Sequence, residues 1–168
     1  MSAPKWFERK FNPVTDELLP NVLIRLRGTP ARIEEMVHGA SADALTRKPG
    51  ESWSAQEHAG HLLDLEPLWL ARVEDFATAR DGLTAADLTN RKTHEANHNS
   101  RRTDEILHAF RNARNRLLAR VQELEPLAFR QVLPHPRLRL PMRMVDHLHF
   151  VAEHDDHHLV QIWRLLNA

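Results

Sequence analysis

The fold is decided by one stretch near the C-terminal end: Val151-Ala152-Glu153-His154-Asp155-Asp156-His157-His158-Leu159-Val160-Gln161-Ile162. It holds three histidines and three carboxylates, yet Val151, Leu159, Ile162 and Leu165 still recur at helical spacing. That periodicity predicts a helix with one buried face. His154 and His158 lie one turn apart on it, with Cβ atoms about 5–6 Å from each other, so two imidazoles can converge on one ion. His147, Val151, His154, His158, Gln161 and Leu165 share a stripe, which places the pair on the inward edge. His157 turns about 100° away. Two buried neutral imidazoles can also be satisfied by carbonyls or carboxylates without any ion. A metal reading therefore needs a further inward histidine.

Working outward, the chain of 168 residues fits one domain spanning 1–168 and is long enough to bury a core. Hydrophobic residues make up 42%, with ten prolines and five glycines, the profile of a folded helical protein. Lys plus Arg and Asp plus Glu balance at 23 each, so nothing points to nucleic acid or an anionic membrane as partner. The absence of cysteine removes disulfides, thiolate ligands and a cysteine nucleophile together. The first residues lack the apolar run of a signal peptide and no stretch approaches a membrane span, so a cytoplasmic location is expected. The compositional oddity is twelve histidines.

Residues 1–14 read as an N-terminal arm anchored by Trp6, Phe7 and Phe11. A first long helix is predicted between Asp16 and His38, with a start or kink at Thr29-Pro30 and a stop at Gly39. The second starts at the capping box Ser54-Ala55-Gln56-Glu57, with Trp53 just before it. Its broad apolar face includes His58, His61, Leu62, Leu65, Leu68, Trp69, Val73 and Phe76, so His61 looks inward, and Pro67 predicts a bend. Asp81 to Arg102 is a long polar loop between the second and third long helices. Asp104–Glu125 and about Met142–Leu166 complete four amphipathic helices, and the fold class is all-α, a four-helix bundle.

In a bundle, metal sites come from inward side chains on facing helices. His61, His154 and His158 supply three neutral nitrogens and leave a position open, the pattern of a catalytic ion. Glu57, Asp64, Glu153 and Asp155 are candidates to orient the rings, although each taken alone reads as an ordinary solvated helix charge. His94-Glu95-Ala96-Asn97-His98 matches HExxH, the zinc-protease pattern, but it lies in polar surroundings with nothing evident to bury it. His58 is a possible fourth nitrogen and fits better packed near Trp53. His147 and His149 read as decoration of the last helix, and His38, His108 and His135 belong to no constellation. Arg111, Arg114, Arg116 and Arg120 read as solvated or dimer-edge charge.

Two segments carry a resemblance: Trp53-Ser54 with Glu57-His58-Ala59-Gly60-His61-Leu62, and Glu153-His154-Asp155-Asp156-His157-His158-Leu159. With Arg25-Leu26, Thr29-Pro30, Phe110, Arg114 and His135-Pro136, they make most of the chain similar to the DinB/YfiT-like superfamily of metalloenzymes. The resemblance implies a four-helix bundle, often a homodimer, with one divalent ion, zinc or nickel and alternatively manganese. Matched by position, its ligands are His61, His154 and His158. Characterised members of the family include S-transferases and isomerases that use a low-molecular-weight thiol such as bacillithiol or mycothiol. The leading expectation is therefore metal-dependent transfer of such a thiol to a small electrophilic substrate. Coordination to a cation can deprotonate a thiol. The alternatives are a metal-dependent hydrolase, with Asp155 shuttling protons, and a non-catalytic metal-binding bundle.

Overall fold

The computed structural model describes residues 6–167, so the first five residues of the expected arm lie outside it. Four long helices form the bundle: α1 (Leu19–Val37), α3 (Ala55–Ala77), α5 (Thr103–Gln122) and α7 (Met144–Leu166). Short helices fill the connections, namely α2 (Ala42–Thr46), α4 (Arg91–Glu95) and α6 (Pro126–Arg130). A two-residue antiparallel ribbon pairs β1 (Leu133–Pro134) with β2 (Pro141–Met142). No helix among the described residues is long and apolar enough to cross a membrane.

The topology is not a sequential up-down bundle. α1 packs on α5 and α7, and α3 packs on the same two, so consecutive long helices α1 and α3 stand diagonally across the core. Leu26 and Ile33 from α1, Leu62, Val73 and Phe76 from α3, Ile106, Phe110 and Leu117 from α5, and Leu148, Val151 and Ile162 from α7 fill the interior. Most of these lie at the positions that the sequence periodicity picks out.

The start of α3 is the predicted capping box. The Glu57 amide donates to Ser54 Oγ at 3.1 Å and the Ser54 amide donates to Glu57 Oε2 at 2.8 Å. At the other end of the chain, Asp146 accepts the Arg143 amide at 3.0 Å and opens α7.

Of the helix start or kink expected at Thr29-Pro30, the start does not occur, because α1 runs through Pro30. Proline removes the amide that would bond the carbonyl of Leu26, and Arg114 Nη1 donates to that carbonyl instead, at 3.1 Å. Arg114 itself is a correction. Expected at the surface, it is fully buried and ties the four long helices together: Glu66 of α3 accepts at 2.6 and 3.0 Å, Asp155 of α7 at 2.6 and 3.2 Å, and Leu26 lies on α1. Thr29 adds a 2.7 Å hydrogen bond to Asp155. With two carboxylates on one guanidinium, burial wins over Arg114 at Glu66 and raises its pKa to about 7.

The long polar connection is also better ordered than expected. Gln56 Nε2 donates to the carbonyls of His98 and Arg101 at 2.6 and 2.9 Å, and Ser54 Oγ donates to Asn99 Oδ1 at 2.7 Å. These bonds lay the connection along α3, with Leu83, Thr93 and His98 buried beneath it.

Candidate metal centre

His61 projects from α3, and His154 and His158 from α7, onto one spot where a nitrogen from each lies within 4.8 Å of the other two. The amphipathic registers of the two helices cause this, since each ring follows the apolar stripe inward and all three are buried. His154 Nε2 and His158 Nε2 stand 3.2 Å apart. Metal–nitrogen bonds of about 2.0–2.1 Å at tetrahedral angles place two ligand nitrogens about 3.3–3.4 Å apart, so the pair already has the spacing of ligands.

The opposite ring nitrogens are largely spoken for. His61 Nδ1 lies 3.0 Å from Thr93 Oγ1, and His158 Nδ1 lies 2.8 Å from His58 Nδ1. If both donate there, Nε2 is left as the free lone pair on each ring. His154 Nδ1 is buried without a hydrogen-bond partner among the described residues, with Trp6 edge-on at 4.9 Å and Trp69 at 5.6 Å.

Burial also keeps the rings neutral, as ligation requires. It lowers the His61 pKa to about 3, partly offset by Asp64, and that of His58 to about 4. It holds His154 and His158 well below the usual histidine value, and their histidine neighbours add to the effect. Three uncharged, preoriented nitrogens fit a divalent ion with an open position.

The three histidines line a cleft of about 450 Å³. Trp6, Phe7, Trp53 and Phe150 give it aromatic walls, and Arg72, His135 and Arg137 line it as well. Trp53 packs at 4.7 Å on His61 and at 5.5 Å on His58. It therefore serves the site, and its neighbour Ser54 caps the helix.

The carboxylates proposed as ring-orienting partners are engaged elsewhere. Asp155 is bound by Arg114 and Thr29, so the reading of it as a solvated charge is overturned. Glu57 closes the capping box and meets Lys48 at 3.0 Å. Glu153 pairs with Arg9 and Arg25. Asp64 accepts from His98 Nε2 at 2.8 Å and reaches His61 only through the Thr93 hydroxyl.

The HExxH histidines do not face one another. Asn97 adopts a left-handed backbone with φ 46°, which breaks the helix between them. His94 stays exposed against Trp53, whereas His98, contrary to expectation, is fully buried on Asp64. His147 is likewise buried rather than decorative. Sequence reasoning missed Thr93, Arg72 and His135. His58 carried a usable signal, standing one turn before His61.

Comparison with known proteins agrees with this architecture. YfiT from Bacillus subtilis, described as a probable metal-dependent hydrolase with an unusual four-helix bundle topology, superposes with a TM-score of 0.79. The two are 17% identical, over 95% of this chain and 91% of the other. No curated protein matches in sequence. The sequence model of the DinB superfamily matches residues 25–162, which include all three clustered histidines, and the chain belongs to that superfamily.

Proposed function

We propose that this protein binds one divalent cation, zinc or nickel, through His61, His154 and His158, and transfers a low-molecular-weight thiol to a small electrophile held in the aromatic cleft. The observation that carries the reading is the convergence of three buried, neutral imidazole nitrogens at the cleft. An ion held there supplies Lewis acidity, enough to acidify a thiol or a water molecule at neutral pH. The chain's own residues do the rest. Thr93 and His58 hold the rings of His61 and His158 in orientation. Trp6 and Trp53 wall the cleft and give it apolar surface. An external thiol suits a protein with no cysteine of its own.

Hydrolysis is the second reading, favoured by the description of the YfiT structure. It needs a group to carry protons, and the carboxylate first considered for that task, Asp155, is committed to Arg114 and Thr29. Among the described residues Asp87 is the carboxylate lining the cleft, and its oxygens accept from Thr89 and the Arg91 amide.

The test is turnover of a panel of electrophiles with and without bacillithiol or mycothiol, before and after chelation. Product that requires both metal and thiol is expected. Conjugation that survives metal removal contradicts the proposal, and ester or amide cleavage without added thiol transfers the assignment to hydrolysis.

A further inference from the structure

Two guanidinium groups in the cleft stand apart from the rest of the protein's buried charge. Arg114, the other deeply buried arginine, is matched by two carboxylates. Arg72 is 1% exposed and has no ion pair within 4 Å among the described residues. Its Nε donates to the Thr84 carbonyl at 2.8 Å, and its plane lies 5.4 Å from the Trp69 ring. Asp75 offsets part of its charge, but the oxygens of Asp75 accept the Thr84 amide and face Arg80. Arg137, itself only half-buried, packs over Phe7 and buries Nη2 without a hydrogen-bond partner among the described residues. Burial lowers both pKa values, that of Arg72 to about 10, and Arg137 adds to the effect on Arg72. A buried cation without an ion pair, as Arg72 is, is costly, and the half-buried Arg137 beside it adds repulsion.

His135 sharpens the point. Its Nδ1 accepts the backbone amides of Arg137 and Leu138 at 3.2 and 3.1 Å. In the neutral ring this leaves the proton on Nε2. That Nε2–H faces Arg72 Nη1, another donor, at 3.2 Å. Burial and the two arginines hold the His135 pKa down at about 3, so the ring does not add a third full charge. Among the described residues, the groups of this cluster left without an acceptor, Arg137 Nη2 and the His135 Nε2–H facing Arg72 Nη1, are all donors.

An oxyanion placed among Arg72, His135 and Arg137 accepts from all three and neutralises the pair of charges, with the fork of Arg72 suited to a planar carboxylate. We propose that this end of the cleft is the carboxylate-binding subsite of the substrate, so that the protein acts on a small organic acid with an apolar body. The Trp69 ring, 5.6 Å from His154 and 5.4 Å from the Arg72 guanidinium carbon, joins the subsite to the histidine cluster. The guanidinium carbon therefore lies within about 11 Å of the His154 ring centre. The aromatic walls between them suit the apolar body. The orientation of this acid toward the histidines rests on the metal-site proposal above, but the anion subsite itself does not.

Calorimetric titration with benzoate tests it, using the full-length protein, Arg72→Lys, Arg137→Gln and His154→Ala, with metal content measured alongside. Arg137→Gln is expected to weaken benzoate about tenfold or more, and Arg72→Lys, which keeps the charge and loses the fork, by a smaller factor, both with metal content unchanged. His154→Ala is expected to lose metal and keep benzoate. Circular dichroism melting of Arg137→Gln, whose change lies in a loop, separates lost binding from lost folding. A parent that binds no benzoate overturns the proposal, as does benzoate binding lost only in His154→Ala, which puts the anion on the metal. Inorganic phosphate bound in place of benzoate, with the same arginine dependence, overturns the carboxylate assignment in favour of a phosphate ester. A metal-free parent that still binds benzoate through both arginines contradicts only the metal centre.

Discussion

Arg114 on α5 donates to both oxygens of Asp155 on α7, at 2.6 and 3.2 Å, one residue past His154. The same guanidinium holds Glu66 of α3, five residues after His61. One buried cation thus fixes the relative position of the two helices that bring the histidines together. Removing it strands two buried carboxylates, one of them without recourse to solvent. Arg114→Met is expected to cost about 3–5 kcal/mol in urea unfolding, because breaking a buried ion pair leaves uncompensated charge. Metal affinity should fall about tenfold or more, as for other residues that orient ligands. A variant with unchanged stability and metal content would remove Arg114 from this role.

Acid should unfold the protein early. The folded state holds His58, His61, His135, His147, His154 and His158 neutral by burial, with values of about 4 for His58 and about 3 for His61 and His135. The unfolded chain takes up protons as pH falls below about 6.5, so it binds more protons than the folded state. Stability is therefore fully present above that value and is lost as pH falls toward 4 and below. Each buried ring is expected to cost about 1 kcal/mol at pH 5.5. Urea midpoints at pH 7.5 and 5.5 measure this, and equal midpoints would contradict it. Added zinc should raise the midpoint at pH 7.5 more than at pH 5.5, since protons compete for the ligands.

Gly60 precedes His61 and lies against the buried His98 ring, so closely that a Cβ would overlap ring atoms. His98 cannot retreat, being fully buried and bonded to Asp64. Gly60→Ala is expected to destabilise by about 1–3 kcal/mol through overpacking, despite alanine's higher helix propensity. A chemical denaturation midpoint equal to or above that of the parent would show that the loop gives way instead.

The four long helices were legible from periodicity and capping, with ends within a few residues, because each is amphipathic and marked by Ser54, Gly39 or proline. The histidine trio was legible for the same reason, since inward stripes on two helices must meet. What escaped the sequence depends on partners far along the chain. Pro30 reads as a helix start or kink until Arg114 takes the freed carbonyl of Leu26, 88 residues before it in the chain. Arg114 reads as surface charge until Glu66 and Asp155 are brought beside it. His98 looks exposed among polar neighbours because Asp64 and the gap at Gly60, which bury it, belong to another helix. Arg72 and His135 come together only across a loop whose path periodicity does not describe.

The central claim is that His61, His154 and His158 hold one divalent ion. Elemental analysis of protein purified without a histidine tag tests it most directly, alongside His61→Ala, His154→Ala, His158→Ala and His94→Ala. About one zinc or nickel per chain in the parent and in His94→Ala, with loss from the other three, is the expected result. Metal retained in all four variants, or a parent that stays empty after loading with zinc and nickel, would contradict the account.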